Sequence, residues 1–319
     1  MRVRHDVITI GTATRDVFLP LSAGAGRIEP GMKIDAGSPM FSTGGGAVNA
    51  ASTFARQGFD AAIVCRIGSD ASGDDIVRDM EREGVTCRAA RDARKATGYA
   101  AIALYPDGER TVVAHRGAAD ALSAKDIAWT GAPKWLYIAS GHIAPDVLGR
   151  AIKTAHKAGA RVALNPSSWH IARYATWLRD MLPSVSVFMV NRGEAARFMG
   201  VPPEDERGVF QRLDRITPGI AVMTDGPRGA WVSDAKTMWR AGIFPNERIA
   251  DRTGAGDAFG SGFVAGLMRT DDIAYAIRLA SANAAANVER VGAHAGVITL
   301  REFGKNPRWR DLRVAAHPL

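Results

Sequence analysis

Short apolar runs alternate with stretches of helical spacing along most of the chain. Six runs are short enough to be buried strands, and the segments between them, such as residues 145–157, carry apolar residues at the spacing of one helix face. Strands that alternate with helices favour a mostly parallel sheet covered by helices on both faces, so the sequence predicts an α/β fold. The predicted strands are residues 6–11, 60–68, 135–139, 161–165, 187–190 and 220–224.

Two segments, residues 12–43 and 97–117, depart from this alternation. The first mixes short apolar runs with many Gly, Pro and Ser residues. In the second, residues 97–105 and 110–115 flank Pro106-Asp-Gly-Glu109, which is a strong hairpin signal. We predict that both segments form a small sheet separate from the main one. Because no repeat or interdomain linker is visible, we expect one domain over residues 1–319.

Polar residues follow several consecutive predicted strands at the point where each strand ends. Asn165 ends one strand, Asn191 and Glu194 follow the next, and Thr224 and Gly226 follow another. Ligands of open α/β sheets bind beyond the carboxyl ends of the strands. Each of these residues alone is more typical of a loop or a helix cap, but together they indicate a binding site.

A glycine-rich loop that leads into a helix, residues 251–267, is the stretch with the clearest chemistry. Gly254, Ala255 and Gly256 leave the backbone unshielded where the helix is predicted to begin, so unpaired N–H groups would face a bound anion there. Asp257 falls in the first helical turn, and Asp251 precedes the loop. An anion site beside a carboxylate suits phosphoryl transfer, because the amides hold oxygens while the carboxylate accepts a hydroxyl proton.

A second glycine-rich helix start lies near the N-terminus. Three glycines at 44–46 precede a helix of small residues, and Asn49 falls in its first turns. This start offers bare backbone and an amide to a polar ligand, although the glycines alone could serve only a tight turn. Asp16 follows the first predicted strand in a position that suits either a surface turn or a ligand.

Composition excludes several classes of protein. The chain has 319 residues, of which 46% are hydrophobic and 23% charged, as in ordinary globular proteins. Its two cysteines do not form a disulfide framework, and no segment reaches the length of a membrane span or a signal peptide, so we expect a cytoplasmic protein. The net charge of +8 comes from scattered basic residues without a nucleic-acid-binding motif, so we expect no nucleic-acid partner.

The chain resembles the ribokinase-like (PfkB) carbohydrate kinases from Gly11 to Gly296. Residues 251–259 are similar to the family signature D-T/R-x-G-A-G-D-x-F, residues 44–49 to G-G-x-x-x-N, and residues 191–194 to N-x-x-E. The resemblance implies a three-layer sandwich with a small β-sheet lid. It also implies ATP-dependent phosphorylation of a sugar hydroxyl.

The resemblance further implies roles for individual residues. Asp257 would be the catalytic base, and the amides of Gly254, Ala255 and Gly256 would form the anion hole. Substrate hydroxyls would be held by Asp16, Gly45, Asn49 and Asp251, and the nucleotide by Asn191, Glu194, Thr224, Gly226 and Asn283.

The implied cofactors are ATP and Mg²⁺, with Glu194 acting on the magnesium ion through water. A potassium site at the loops of Asp251 and Gly292 is a further hypothesis. Many members of the family carry Lys at the position of Gly46, and its absence leaves the substrate open. The family also suggests a homodimer paired through the lid.

Several alternatives remain. A nucleoside kinase shares the same motifs, and a phosphosugar kinase would need basic residues at the lid, for which Arg15, Arg27 and Arg116 are candidates. A dinucleotide-dependent dehydrogenase would suit the alternating sheet, but the first strand is not followed by G-x-G-x-x-G. A catalytically silent binding protein on this fold is expected to lack the carboxylate of Asp257, which is present.

Overall fold

The computed structural model describes residues 5–22, 27–127 and 133–318. Within these ranges a large sheet carries helices on both faces, and a small sheet stands apart from it. The α/β architecture and the separate small sheet predicted from the sequence are therefore confirmed.

The large sheet has ten strands in the order β14-β13-β12-β11-β10-β9-β8-β1-β4-β5. The strands from β11 to β5 pair in parallel, and the three at the other end pair antiparallel. The bounds are β1 (Val7–Gly11), β4 (Ala61–Gly68), β5 (Thr86–Asp92), β8 (Trp135–Ala139), β9 (Arg161–Asn165), β10 (Val187–Asn191), β11 (Ile220–Thr224), β12 (Ala230–Ser233), β13 (Thr237–Ala241) and β14 (Val314–Pro318).

The sequence analysis missed β5 and the antiparallel end of this sheet. β5 contains Arg88, Arg91 and Asp92 and lies at the edge of the sheet, so it lacks the continuous apolar run of a central strand. β12 and β13 are short and joined by a tight turn, and β14 comes from the chain's last residues. β12, β13 and β14 belong to the sheet because each pairs with its neighbour, and their own sequences give little sign of this pairing.

Helices cover both faces of the large sheet because its central strands bury alternate residues on opposite sides. The helices are α1 (Gly46–Arg56), α2 (Ala71–Arg82), α3 (Pro145–Lys157), α4 (Ser168–Arg173), α5 (Ala175–Met181), α6 (Arg192–Met199), α7 (Glu206–Ile216), α8 (Ala255–Thr270), α9 (Ile273–Val288) and α10 (Leu300–Lys305). In β8, Leu136 and Ile138 pack under α3 to α7, whereas Trp135 and Tyr137 pack under α1, α8 and α9.

The small sheet has the strand order β3-β2-β6-β7. Its strands are β2 (Thr14–Pro20), β3 (Met40–Gly44), β6 (Gly98–Leu104) and β7 (Arg110–His115), so it combines the two segments that the sequence set apart. The turn of the β6–β7 hairpin reaches back to the main body, where Glu109 pairs with Arg252 at 3.0 Å. Among the described helices, none has the combination of length and apolarity that a bilayer crossing requires.

Candidate active site

The start of α8 presents unpaired amide groups. Gly254 precedes the helix with φ of +73°, and a Cβ at this position would overlap the carbonyl oxygen of Ala293, so only glycine fits. The N–H groups of Gly254 and Gly256 have no backbone acceptor among the described residues, and that of Ala255 makes only a long contact of 3.4 Å to the Arg252 carbonyl. Unpaired donors at the positive end of a helix dipole are the features that attract an anion, as the sequence predicts for this loop.

Asp257 lies in the first turn of α8, next to these amides. Its Oδ2 accepts a hydrogen bond of 2.8 Å from Nδ2 of Asn49 on α1. Burial raises the pKa of Asp257, the hydrogen bond from Asn49 opposes that rise, and the negative charge of Glu194 adds to it. A carboxylate with a raised pKa is a better proton acceptor than an ordinary surface aspartate.

A cavity of about 250 Å³, here called the polar cavity, opens in front of the α8 start. It lies at the carboxyl ends of β9, β10 and β11, where open α/β sheets bind ligands. Its polar lining comes from Arg110, Asn165, Asn191, Glu194, Thr224, Arg252, Asp257 and the backbone of residues 254–256.

A second cavity of about 340 Å³, here called the apolar cavity, shares part of this lining. The two cavities adjoin and are together called the cleft, because both are lined by Arg110, Thr224, Arg252, Ala255, Gly256 and Phe259. The remainder of the apolar cavity is lined mainly by side chains without charge, including Ile243, Ile249, Ala284, Ala285 and Val288, together with Gly226. Such a surface suits the flat, largely apolar face of a heterocycle.

Asn191 and Glu194 form the capping box of α6. The side chain of Asn191 accepts from the Glu194 N–H at 2.9 Å, and Glu194 accepts from the Asn191 N–H at 3.0 Å. Glu194 also accepts a hydrogen bond from Ser168 at 2.8 Å. Both residues line the polar cavity as well, so one motif fixes the helix start and faces the ligand space.

The loop after β11 is fixed by an ion-pair cluster. Asp225 pairs with Arg228 at 2.8 Å and with Arg192 at 3.1 Å, and these contacts hold the pKa of Asp225 below its usual range. Thr224 and Gly226 lie on either side of Asp225 and line the cleft. The cluster therefore holds Thr224 and Gly226 in place.

The start of α1 differs from the prediction in one respect. Gly45 has φ of +93°, and a Cβ there would overlap the carbonyl group of Thr12. Thr12 accepts hydrogen bonds of 3.3 Å from both Gly46 and Ala47, so the expected bare backbone is already occupied. What this helix offers to the site is the side chain of Asn49.

Asp16 is a buried carboxylate on β2, with 4% of its surface exposed. Its Oδ1 accepts a hydrogen bond of 2.7 Å from Thr14, and its other oxygen lies against Gly44, next to the start of α1. Burial raises its pKa to about 6, although the hydrogen bond from Thr14 and the charge of Arg15 act in the opposite direction. Asp16 is thus near Gly45, on the small-sheet side of the site.

Asp251 joins two loops and lies behind the cleft. It is fully buried, its Oδ1 accepts from the N–H and the hydroxyl of Thr253 at 2.8 and 2.6 Å, and its Oδ2 accepts from the N–H of Gly292 at 3.1 Å. It is absent from the lining of both cavities among the described residues. Its hydrogen bonds brace the loops of Thr253 and Gly292, and the expected contact with a substrate hydroxyl stays a prediction.

Asn283 does not border the cleft, which corrects the expectation for this residue. It is fully buried, where its Nδ2 donates to the Ala258 carbonyl at 2.8 Å and its Oδ1 accepts from the Ile298 N–H at 2.9 Å. These contacts tie α8, α9 and the chain after residue 297 together. The face of α9 that lines the apolar cavity carries Ser281, Ala284, Ala285 and Val288.

Arg110 is the site residue that sequence reasoning missed. It lines both cavities from the start of β7, and no hydrogen bond or ion pair engages its guanidinium within the described ranges. A single basic residue after a turn belongs to no motif, so its position in the sequence does not indicate a role in a binding site. Only the docking of the hairpin onto the main body brings it to the cleft.

The basic residues considered for a phosphorylated substrate are engaged elsewhere. Arg15 lies near Asp75 and Asp79, at 3.6 and 3.4 Å. Arg27 stacks over the ring of Tyr105, and Arg116 lies 3.8 Å from Asp120. They do not form a cluster that faces either cavity in the described part of the chain.

Comparison with known proteins gives a consistent result. Residues 4–300 match the pfkB family of carbohydrate kinases. The ribokinase of Haemophilus influenzae is 28% identical over 285 residues, which are 86% of this chain and 90% of that protein.

Two solved structures share the fold. The adenosine kinase of Sinorhizobium meliloti superimposes with a TM-score of 0.81 at 23% identity, covering 95% of this chain and 99% of that one. The ribokinase of Arabidopsis thaliana in complex with ribose and ATP gives a TM-score of 0.79 at 20% identity, covering 97% and 100%.

Proposed function

Because the chain belongs to the pfkB family of carbohydrate kinases, we propose that it transfers the γ-phosphoryl group of ATP to a sugar hydroxyl, with Asp257 as the base. The observation that carries this proposal is the shared position of Asp257 and the unpaired amides of Gly254 and Gly256 at one wall of the polar cavity. A proton acceptor and an anion site are the two groups that phosphoryl transfer to an alcohol needs side by side.

The reaction balances with these groups. The sugar oxygen attacks the γ-phosphorus, its proton passes to the Asp257 carboxylate, and the bond from the γ-phosphorus to the oxygen shared with the β-phosphate breaks to release ADP. The amides at residues 254–256 stabilise charge on the transferring oxygens, because they are fixed before the reaction begins. The hydrogen bond from Asn49 keeps Asp257 in place and favours its ionised form.

The nucleotide is proposed to occupy both cavities. The apolar cavity suits the adenine and ribose, whereas Thr224, Gly226, Asn191 and Glu194 lie where phosphates would pass towards residues 254–256. Arg110 adds a positive charge at the junction of the two cavities, which is where the phosphate chain carries most negative charge.

The sugar is proposed to bind between the small sheet and the start of α1. Asp16 and Asn49 supply a carboxylate and an amide on either side of the half-buried Gly45, and such groups match the hydroxyls of a sugar. In this arrangement the small sheet serves as a lid on a single domain. Asp251 supports the site from behind by fixing the loops of Thr253 and Gly292.

The metal requirement follows from the nucleotide. Among the described residues no group of three or more acidic, His or Cys side chains could hold a metal ion, so Mg²⁺ is proposed to arrive bound to ATP and to offset the phosphate charge. Glu194 faces the polar cavity with both oxygens already accepting hydrogen bonds, which suits contact through water. The buried loops of Asp251 and Gly292 are the proposed location for a potassium ion.

A nucleoside is the second candidate substrate. The likeness to an adenosine kinase structure supports it, since that protein shares the whole fold with this chain. A phosphosugar is disfavoured because Arg15, Arg27 and Arg116 are engaged away from the cavities. Release of ADP measured with a panel of pentoses, hexoses, nucleosides and hexose phosphates distinguishes these classes.

Replacement of Asp257 tests the chemistry. Asp257→Asn retains the shape of the side chain but cannot accept a proton, so kcat should fall by at least about 10²-fold while the binding of ATP and sugar persists. Asp271→Asn, at the exposed opposite end of α8, is the matched control and should retain activity. Near-normal turnover of Asp257→Asn would refute the assignment of the base.

A further inference from the structure

Asn49 lies between Asp257 and a buried histidine. Its Nδ2 donates to Asp257 at 2.8 Å, and its Oδ1 lies 3.2 Å from Nδ1 of His294. We propose that His294 is a positioning residue that fixes the amide of Asn49 so that its NH₂ end faces the base. This inference rests on the proposed role of Asp257 and assigns a new role to the loop of residues 291–297.

The amide of Asn49 needs such a partner because its two ends have the same shape and opposite polarity. With the NH₂ end towards Asp257 it stabilises the carboxylate, whereas a flipped amide would place an oxygen against a negative charge. A donor at Nδ1 of His294 satisfies the Asn49 oxygen and therefore selects the first orientation. The contact thus favours the ionised form of Asp257 and opposes the effect of burial on its pKa.

His294 is itself held rigidly by its loop. Asn287 donates to the Ala293 carbonyl at 3.1 Å and accepts from the Gly296 N–H at 3.2 Å. Arg56, on the same helix as Asn49, donates to the Val297 carbonyl at 3.0 Å. The loop is therefore held by α9 through Asn287 and by α1 through Arg56, which limits the movement of His294 relative to Asn49.

Two side chains of opposite charge lie near His294 among the described residues. His294 faces Glu83 and Arg56, which pair with each other at 2.5 Å, and burial lowers the pKa of His294 to about 4. The imidazole is therefore neutral near pH 7, and its single proton must sit on Nδ1 to serve Asn49.

Asp257 faces charges from several elements. Glu194 approaches from α6 and raises its pKa, and Tyr137 from β8 contributes a buried hydroxyl. Arg110 and Arg252 share the polar cavity with it. All of these remain when His294 is replaced, so a change in Asp257 titration in that variant reports on Asn49.

The test compares three variants. His294→Phe removes the donor to Asn49, so the pKa of Asp257 should rise and the acidic limb of the kcat/KM profile should move up by about one pH unit. At pH values below that limb, the activity should then be roughly tenfold lower than in the native protein. His294→Gln can still donate to Asn49 and should restore the limb. His170→Phe removes another fully buried imidazole that contacts Ser140 and Ser167, and it should leave the limb in place.

Two measurements on the ligand-free protein separate this inference from the proposed function. Carbon-13 NMR titration of Asp257, assigned with Asp257→Asn, should show the same upward shift in His294→Phe. Nitrogen-15 shifts of His294 in the unmodified protein should show the Nδ1–H tautomer. An Nε2–H tautomer, or an unshifted Asp257 in a folded His294→Phe, would overturn the inference. A failure to phosphorylate any sugar would instead overturn only the proposed function.

Discussion

Asp16→Asn should stabilise the ligand-free protein at alkaline pH and weaken its affinity for substrate. Asn has nearly the same shape as Asp and can still accept the hydrogen bond from Thr14 through its Oδ1. It carries no charge to be buried, although Asp16 is almost fully enclosed at 4% exposure. The substitution therefore removes the cost of burying a carboxylate and leaves the packing against Gly44 nearly unchanged.

The magnitude follows from the pKa of Asp16, which burial raises from 3.8 to about 6. A raised pKa favours the protonated form in the folded state, so the stability from this group is fully present below pH 3.8 and is lost as pH rises through about 6. A shift of roughly two units corresponds to about 3 kcal/mol, as an upper value. Above pH 7 the native protein bears this whole cost, and the Asn variant bears none of it.

The assay is urea unfolding of the ligand-free protein at pH 4 and pH 8, with the variant compared with the native protein at each pH. The gain in unfolding free energy on substitution should be larger at pH 8 than at pH 4 by roughly 1–3 kcal/mol. The control Asp180→Asn, at an exposed position on α5, should change by less than about 0.5 kcal/mol at either pH.

Activity gives a second measure of the same substitution. Hydrogen bonds to a charged group are worth about 1.5–3 kcal/mol, so loss of the carboxylate should raise the sugar KM roughly ten- to a hundredfold. If the gain in unfolding free energy on substitution is the same at pH 8 as at pH 4, the raised pKa of Asp16 is refuted. An unchanged sugar KM would refute the contact with substrate.

Three further predictions concern the nucleotide, the metal ions and the assembly. Arg110→Gln should raise the KM for ATP roughly tenfold or more, because a charged contact to phosphate is lost. The control Arg212→Gln, on the exposed side of α7, should leave this KM unchanged. An Arg110→Gln variant with the KM of the native protein would exclude the contact. Excess EDTA should abolish activity and added Mg²⁺ should restore it, and full activity in EDTA would contradict the magnesium requirement. If the Asp251 loops bind potassium, exchange of K⁺ for Na⁺ should lower the rate. The small sheet exposes Phe41 at 59% and Val113 at 71%, so a homodimer through this face is expected, and Val113→Asp should halve the mass found by sedimentation; a monomeric native protein would rule it out.

Local sequence was sufficient for the elements that position the cleft. The start of α8 was predictable because apolar residues recur at helical spacing directly after the glycines, and Phe263 and Val264 of that apolar set are fully buried. The β6–β7 hairpin was predictable from its turn residues. The location of the polar cavity at the carboxyl ends of β9, β10 and β11 was predictable because parallel strands present these ends at one edge of the sheet.

Tertiary structure decided which polar side chains face the cleft and which are used inside the protein. Asn283 and Asn191 were both predicted to hold the nucleotide, yet Asn283 joins buried elements and Asn191 lines the polar cavity. Arg110 reaches the cleft only because the hairpin docks on the main body, and His294 meets Asn49 across 245 residues of sequence. Hydrogen-bond partners and burial depend on distant segments, so periodicity and local spacing carry no record of them.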